Sequence, residues 1–366
     1  MKITRYILLP IAALYSTAVR IRNLLYDLNI SKSSKGAITS LVIGNLTVGG
    51  TGKTPMAEFI INALKDEFKI AFLSRGYKRK TKSCMIATEN ATSADIGDEP
   101  EQIHRKFPDI PVAVCADRLK GLEMLKNSHP GLELAVLDDA LQHRRLKPDL
   151  TIMLTDYNNF FLNDFFIPAG RLRDNKYRYK HVDFIVVTKC PPTLKAKQKN
   201  KIIKSLGNKR KGRIFFASIE YGQPVNIFNG EAPDKDLSQY SILGVSGIAN
   251  PQSFENHIKQ LAGKETFFIR FLDHKHYSND SIKKIFSTFD QIYTSEKIIL
   301  TTEKDAVKIA ELELKEEQKN VLYYIPIQTK ILFDEGEKFK HQIKSHARKL
   351  VTKNQQSRQV PTGSDQ

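Results

Sequence analysis

The sequence has few cysteines, a shortage of acidic residues relative to basic ones, and no apolar run long enough to cross a bilayer. Its three cysteines, Cys84, Cys115 and Cys190, lie far apart and lack the spacing of a metal site or a paired disulfide, which favours a reducing, cytosolic setting. There is also no internal repeat and no segment in which basic and aromatic residues alternate. These absences argue against a repeat protein and against a recognised nucleic-acid-binding module.

The balance of charge is strongly positive. The 366-residue chain has a formal net charge of +17 and is 41% apolar. Its length exceeds the usual size of one domain, so two domains are expected. The excess of positive charge favours an anionic partner, and composition alone does not choose between nucleic acid, an acidic membrane surface and a phosphorylated substrate.

A glycine-rich segment between a predicted strand and a predicted helix carries most of the functional information. An apolar run at 39–43 is typical of a buried strand, and apolar residues from Met56 onward fall at helical spacing. Between them lie Thr47, Val48, Gly49, Gly50, Thr51, Gly52, Lys53 and Thr54. Glycines allow successive N–H groups to face an anion, Lys53 adds an ammonium, and the hydroxyl of Thr54 can bind Mg²⁺. The segment therefore predicts a site for a nucleoside triphosphate.

This segment departs from the usual phosphate-loop pattern at one position. The pattern begins with glycine where this chain has Thr47, so a strict motif search would miss it. The alternative is a glycine-rich turn that only lets a helix pack on a sheet. The complete strand, loop and helix, together with Lys53 and Thr54, favours the phosphate site.

The N-terminal segment predicts a membrane-associating helix. Residues 6–19 are uncharged and mostly apolar, and basic residues flank them on both sides. A spanning helix needs about 20 apolar residues, so this segment fits a helix that lies in the membrane interface near anionic lipids. A secretory signal is disfavoured because a nucleotide-binding loop follows closely, whereas a helix packed in the core stays open as an alternative.

Alternating apolar runs and helical segments predict an α/β fold with a mostly parallel sheet covered by helices on both faces. In such sheets ligands bind at the carboxyl ends of the strands, where the phosphate loop would lie. A turn-rich stretch at 221–238 is typical of a boundary. The expected division is an interfacial helix at 1–30, a P-loop core at 31–222, a smaller α/β domain at 223–345 and a disordered tail at 346–366.

Acidic residues at two places are candidates for the chemistry. Asp138 and Asp139 follow an apolar run and can hold Mg²⁺ opposite Thr54. Asp98 lies in a Gly-Asp-Glu-Pro turn and can accept a proton from an attacking hydroxyl, although an ordinary helix-initiating turn is the simpler interpretation of that sequence alone.

Other residues carry weak signals. His274 alone is typical of a structural histidine, and Arg173 fits either a phosphate clamp or an ordinary surface position. The basic run at 195–213 fits the solvated face of a helix, or a surface that contacts an anionic membrane.

Several blocks of the chain together resemble the tetraacyldisaccharide 4'-kinase family, the lipid A 4'-kinases of Gram-negative envelope biosynthesis. The matching blocks lie at 44–55, 74–77, 97–100, 138–143, 171–174, 247–251, 273–274 and 302–305. The first block, with threonine in the leading position and Pro55 at its end, is distinctive of this family. The resemblance covers roughly residues 5–330.

The resemblance implies a membrane-associated P-loop kinase that moves the γ-phosphate of ATP to the 4'-hydroxyl of an acylated glucosamine disaccharide 1-phosphate. It implies ATP and Mg²⁺ as cofactors, and a location at the cytoplasmic face of the inner membrane, where the surface is anionic. No nucleic-acid partner is expected.

The resemblance also implies roles for individual residues. Asp98 matches the catalytic base, supported by His274, while Lys53 and the loop amides hold the phosphates and Thr54 positions the metal with Asp138 or Asp139. The candidates for contacts with phosphate or substrate are Arg75, Arg118, Gln142, His143 and Arg173. The alternative function is a regulatory ATPase that cycles on the membrane, which would use the same loop and helix but need no base for an acceptor.

Overall fold

The computed structural model of this chain describes residues 6–77, 79–273 and 275–359. Its first half forms α1 (Leu9–Asp27), β1 (Thr39–Asn45), α2 (Lys53–Leu64), β2 (Ile70–Ser74), β3 (Met85–Ile86), α3 (Ser93–Ile96), α4 (Asp98–Lys106), β4 (Val112–Val114), α5 (Arg118–Ser128), β5 (Leu134–Asp138), β6 (Leu150–Asp156), β7 (Phe184–Thr188), α6 (Ala196–Leu206) and β8 (Ile214–Tyr221). Then follow β9 (Val225–Asn226), β10 (Ser241–Ser246), α7 (Gln252–Leu261), β11 (Thr266–Arg270), α8 (Asn279–Asp290), β12 (Lys297–Thr302), α9 (Glu303–Ile309), α10 (Glu316–Asn320), β13 (Leu322–Ile325), β14 (Ile327–Ile331) and α11 (Gly336–Gln359).

A large sheet has the strand order β14-β8-β7-β6-β1-β5-β2-β4-β3 among the described residues. All of its strand pairs are parallel except those that β14 and β3 form at the two edges. Each residue of β1 is buried, which explains why the strand reads as a nearly continuous apolar run. One apolar cluster joins the sheet to α2, α4 and α11, and a second joins its other face to α5 and α6. The predicted α/β class, with helices on both faces, is confirmed.

A second sheet follows the large one in sequence and has the order β11-β10-β12-β13-β9. Strands β10 to β13 pair in parallel, and β9 pairs antiparallel with β13. Apolar clusters cover both faces, centred on Leu243 and Ile285 on one side and on Ile242 and Phe254 on the other. Because β10 pairs in parallel with β11 and β12, the loop that follows it lies at the carboxyl edge of this sheet.

The structure differs from the expected division of the chain at its C-terminal end. After β13 the chain returns to the large sheet, where β14 pairs antiparallel with β8. Helix α11 continues to residue 359, so 346–359 is helical and is not a disordered tail. The physical reason is that Phe339, Ile343, Ala347 and Val351 recur at helical spacing and are buried in the cluster of the large sheet. The many polar residues on the other side of the helix concealed this pattern. The last part of the expected tail, 360–366, lies outside the described residues.

Two cysteines that were expected to be unpaired form a disulfide. Cys84 and Cys115 are bonded, with their Cα atoms 4.3 Å apart. The antiparallel pairing of Met85 with Val114 places the residues just beyond this pair opposite each other. The two cysteines are 31 residues apart in the sequence, so their contact depends on this strand pairing and could not be predicted from their spacing.

Helix α1 has one face on the protein and one face in solvent. Ala12, Val19 and Asn23 are buried, whereas an apolar stripe is exposed at helical spacing. The stripe consists of Ile7, Ile11, Leu14, Ala18, Ile21, Leu25 and Leu28. Within the described part of the chain, no helix combines the length and the apolar character that crossing a membrane requires.

Helix α1 is attached to the large-sheet body by buried polar contacts. The side chain of Asn23 donates a hydrogen bond of 2.7 Å to Asp174, and both residues are fully buried. The hydroxyl of Tyr15 donates to the main-chain oxygen of Arg173 at 3.3 Å. Burial of unpaired polar groups is costly, so these contacts fix the position of α1.

A partly buried group of charges joins the two sheets. The ammonium of Lys106 lies 2.6 Å from a carboxylate oxygen of Glu58 on α2 and 2.8 Å from one of Glu303 on α9. Gln102 donates a further hydrogen bond of 2.8 Å to Glu58. Burial and the nearby carboxylate of Glu303 raise the pKa of Glu58 to about 7, because one ammonium serves two carboxylates.

We expect Glu58→Gln to stabilise the chain relative to the parent protein increasingly as the pH rises. The pKa of Glu58 is about 7 in the folded chain, above the ordinary value of a glutamate, so the parent loses stability as the pH rises from that ordinary value through about 7, whereas glutamine does not ionise. Denaturant unfolding of both proteins at about pH 5 and about pH 8 measures the difference. The matched control is Glu220→Gln in the exposed pair with Lys330. An effect of Glu58→Gln that is equal at both pH values would contradict the expectation.

Candidate active site

The phosphate loop connects β1 to α2 at the carboxyl edge of the large sheet. Gly49 and Gly52 have φ values of 103° and 79°, a region that favours glycine. A Cβ atom added at Gly49, Gly50 or Gly52 would have no neighbour within 4 Å. The backbone therefore surrounds open space at the start of α2, where the first N–H groups of a helix are available to an anion.

Main-chain and side-chain contacts hold this loop from below. Asn45 donates a hydrogen bond of 2.9 Å to the hydroxyl of Thr51, and Thr188, at the end of β7, donates one of 2.8 Å to the main-chain oxygen of Thr51. Lys189 donates to the main-chain oxygen of Gly50 at 2.5 Å and lies 3.3 Å from the carboxylate of Asp156. Sequence reasoning gave Asn45, Thr188 and Lys189 no role. The Thr-Lys pair at the end of the buried strand β7 was the available signal.

A second segment supports the other side of the loop. The N–H of Val48 donates a hydrogen bond of 2.7 Å to the main-chain oxygen of Arg171, and that of Arg173 donates one of 2.9 Å to Leu46. Thr47 and Leu172 form an antiparallel bridge. The phosphate loop is thus paired with the 171–173 segment, which is the same segment that anchors α1.

Lys53 and Arg173 converge on one carboxylate. The ammonium of Lys53 lies 3.8 Å from Asp139, and the guanidinium of Arg173 contacts both oxygens of Asp139, one of them at 2.9 Å. Arg173 also donates to the side-chain oxygen of Asn45 at 2.5 Å. Burial opposes ionisation of Asp139, but Lys53 and Arg173 outweigh it and hold its pKa below the ordinary value.

Asp138 has a different environment from its neighbour. Its side chain is 3% exposed, and its Oδ1 atom has no hydrogen-bond partner among the described residues. Burial, and then the carboxylate of Glu99, raise the pKa of Asp138 to about 8. A buried carboxylate oxygen without a partner beside a phosphate loop fits a place for a cation.

The site offers only part of a metal coordination shell. Within 6–77, 79–273 and 275–359, no cluster of three or more His, Cys, Asp or Glu residues is placed to hold a metal. Mg²⁺ commonly takes only one or two protein carboxylates and completes its shell with substrate phosphates and water. Asp138 and the half-buried Thr54 therefore fit Mg²⁺ bound together with a triphosphate.

Arg118, Gln142 and His143 line the base of the site. The guanidinium of Arg118 is buried and donates to the main-chain oxygens of Cys115 and Asp138, at 3.0 and 3.3 Å, so its contacts join the ends of β4 and β5. Burial lowers the pKa of Arg118 to about 10, although Asp138 and Asp139 oppose this shift. Gln142 donates a hydrogen bond of 2.8 Å to the main-chain oxygen of Asn45.

His143 and Arg75 lie toward the edge of this group. His143 lies 3.6 Å from Asp117, and burial, followed by the charge of Arg118, lowers the pKa of its imidazole. Arg75 is exposed in the loop after β2. Five residues were expected to contact phosphate or substrate. Among them, Arg75 and Arg173 have guanidinium groups that solvent can reach, and the side chain of Arg173 is 22% exposed.

Asp98 is the first residue of α4 and follows Gly97, whose φ is 94°. The side chain is 17% exposed and lies 3.6 Å from the ammonium of Lys308 on α9. The adjacent Glu99 acts electrostatically on Asp138, so the turn approaches the metal-site candidates. His274 lies outside the described residues, while its neighbour Asp273 lies 3.7 Å from Lys304.

Comparison with known proteins identifies similar chains. A family model described as Tetraacyldisaccharide-1-P 4'-kinase (LpxK) matches residues 4–348. The chain is 37% identical over 353 residues to the tetraacyldisaccharide 4'-kinase of Bacteroides thetaiotaomicron, with 93% of each chain covered. It is 39% identical over 349 residues to that of Parabacteroides distasonis, with 93% of this chain and 94% of the relative covered.

A solved structure is similar over nearly the whole chain. The structure described as the "apo" form of LpxK from Aquifex aeolicus in complex with ATP matches with a TM-score of 0.73 and 28% sequence identity. The match covers 95% of this chain and 99% of that chain.

Proposed function

The chain belongs to the tetraacyldisaccharide-1-P 4'-kinase family, and we propose that Lys53, Asp98 and Asp138 are central to its transfer of the γ-phosphate of ATP to the 4'-hydroxyl of a tetraacyldisaccharide 1-phosphate. The resemblance inferred from the sequence blocks is confirmed, and so is the kinase activity it implied. The open, glycine-lined space at the start of α2 is the single observation that carries the residue assignment.

The phosphate loop binds the triphosphate in this proposal. Successive N–H groups at 49–54 face the β- and γ-phosphates, and the N-terminus of α2 adds partial positive charge. Lys53 is already held near this space by Asp139, so it needs little rearrangement to contact the γ-phosphate. The Aquifex aeolicus relative, described as a complex with ATP, supports ATP as the nucleotide.

Mg²⁺ completes the charge balance of the site. Thr54 and Asp138 are the proposed ligands, because Asp138 has the unpartnered buried oxygen while Asp139 is already paired with Arg173 and Lys53. A metal ion held there would neutralise part of the phosphate charge. Arg173 holds Asp139, and through it Lys53, in the required orientation.

Asp98 is the proposed base for the acceptor hydroxyl. A carboxylate near the γ-phosphate can accept the hydroxyl proton as the new P–O bond forms. Asp98 starts α4, which packs against both β4 and α9, and its carboxylate lies 3.6 Å from Lys308 of the second sheet region. Both sheet regions therefore contribute to the surroundings of Asp98, and His274 is its proposed partner.

The test of the proposed function is a transfer experiment with γ-labelled ATP, Mg²⁺ and a tetraacyldisaccharide 1-phosphate. We expect label on the 4' position of the distal sugar. Label that appears only as free phosphate, at a rate independent of the glycolipid, would instead indicate the regulatory ATPase.

The proposed location is the cytoplasmic face of the inner membrane, with α1 in the anionic interface. The exposed stripe of α1 supplies apolar contact, and Arg20 and Arg22 supply positive charge near the headgroups. This arrangement brings the acylated substrate to the protein without extracting it from the bilayer.

We expect the double variant Ile11→Glu/Leu14→Glu to bind anionic vesicles about tenfold or more weakly. Each exposed apolar side chain that enters the interface contributes about 1.5–3 kcal/mol, and both changes add repelling charge. Vesicle cosedimentation measures binding, and a thermal melt checks the fold. Tyr293→Glu, at an almost fully exposed aromatic residue outside α1, is the control. Undiminished binding of the double variant would reject the proposed role of the stripe.

A further inference from the structure

Lys308 is a buried cation that the proposed reaction has not yet used. Its side chain is 3% exposed, although lysine is rarely buried unless it is paired. The ammonium lies 3.0 Å from Asp305, one turn earlier on α9, and 3.6 Å from Asp98. It also lies 5.4 Å from the centre of the Tyr277 ring. Two carboxylates and an aromatic ring thus surround it.

Asp305 fixes this ammonium in place. Its carboxylate is fully buried and accepts hydrogen bonds from the N–H of Gly247 at 2.8 Å and from the hydroxyl of Thr302 at 2.7 Å. Gly247 follows β10, and Thr302 ends β12. The second sheet therefore sets the position of Lys308 independently of Asp98.

We propose that Lys308 is a positioning residue for the reaction, which holds the carboxylate of Asp98 ionised and directed toward the acceptor site. This inference rests on the proposed role of Asp98 as the base. A carboxylate about 4–6 Å or less from an ammonium in a poorly solvated place stays ionised at lower pH than one without it. Because Lys308 comes from the second sheet region, the base is set only when the two sheet regions are packed together.

Two other carboxylates and a phenol lie near the contact between Lys308 and Asp98. Glu99, the next residue on α4, is also acidic, and Asp305 adds a second negative charge behind Lys308. Burial, and then Asp305, raise the pKa of Tyr277, so its phenol stays neutral. Both carboxylates disfavour ionisation of Asp98, and the buried ammonium of Lys308 opposes them.

The test compares the pH dependence of kcat/KM in the parent protein, Lys308→Met and Lys308→Arg. Methionine keeps most of the length of the lysine side chain and removes its charge. We therefore expect the acidic limb of the profile of kcat/KM against pH to move upward by about one pH unit. At a pH at least one unit below the midpoint of the parent limb, kcat/KM should fall about tenfold, while KM for ATP changes less than about twofold. Lys308→Arg should restore the parent limb, and Lys330→Met, which removes a charge from an exposed pair, should leave it unchanged.

A second variant covers the case in which Asp305, left without its cation, prevents folding. The double variant Lys308→Met/Asp305→Asn removes both buried charges, and its limb should move in the same direction. An unmoved limb in a folded variant, or a rise in KM without any shift of the limb, would show a purely structural role and overturn the inference. The variant Asp98→Asn separates the two proposals. If it stays active and keeps the acidic limb of the parent protein, Asp98 is not the base. If it is inactive while Lys308→Met shows no shift of the acidic limb, only the role of Lys308 is rejected.

Discussion

Replacing Asp98 with asparagine should lower kcat by about a thousandfold, since a well-placed general base typically contributes about 10²–10⁴ to the rate. Asparagine has nearly the same shape but cannot accept the hydroxyl proton. The phosphate loop does not contain Asp98, so the affinity for ATP should change little. Steady-state kinetics with the glycolipid acceptor measure kcat, and equilibrium binding of ATP measures the nucleotide site.

The control for this substitution is Asp109→Asn, at an exposed position shortly after the same helix. It makes the same chemical change and should leave both kcat and ATP binding near those of the parent protein. If Asp98→Asn instead abolished binding of ATP in the presence of Mg²⁺, Asp98 would be a ligand of the nucleotide or metal, and a different residue would have to accept the proton.

Replacing Lys53 with methionine should also reduce kcat by about a thousandfold, because preorganised charge aimed at the transferring phosphate commonly contributes about 10²–10³. Methionine retains the packing of the side chain and removes the ammonium. Asp139 keeps its contact with Arg173, so the site should not collapse when Lys53 is lost. The same labelled-ATP assay measures the effect, and thermal unfolding verifies the fold.

Lys65→Met is the matched control, since Lys65 is exposed just past the other end of α2, away from the phosphate loop. It should retain the parent kcat. Full activity of Lys53→Met would mean that the glycine-rich loop only connects strand and helix, which is the alternative that the sequence alone left open.

The phosphate-loop unit could be predicted from the sequence because its parts are local. The buried run that became β1, the glycines and the spacing that became α2 are adjacent in the chain, and their chemistry depends on neighbouring residues. The α/β class was predicted for the same reason, since each apolar run and each helical segment is recognised from neighbouring residues.

The parts that sequence reasoning missed depend on residues far apart in the chain. Strand β14 pairs with β8, about one hundred residues earlier, and nothing near Ile327 indicates which sheet it joins. The Cys84–Cys115 disulfide depends on the register of β3 against β4. The position of Lys308 beside Asp98 likewise requires the packing of α9 on α4, although a lysine three residues after Asp305 was a visible hint.

The buried contact between Asn23 and Asp174 has a geometric consequence for work on a bilayer. Moving α1 away from the body would expose this pair. Any lipid surface that holds the helix therefore also sets the tilt of the whole molecule. It likewise sets the height of the open, glycine-lined space above the headgroups. In the proposed membrane-bound state, the protein thereby fixes the distance between the headgroups and the ATP site.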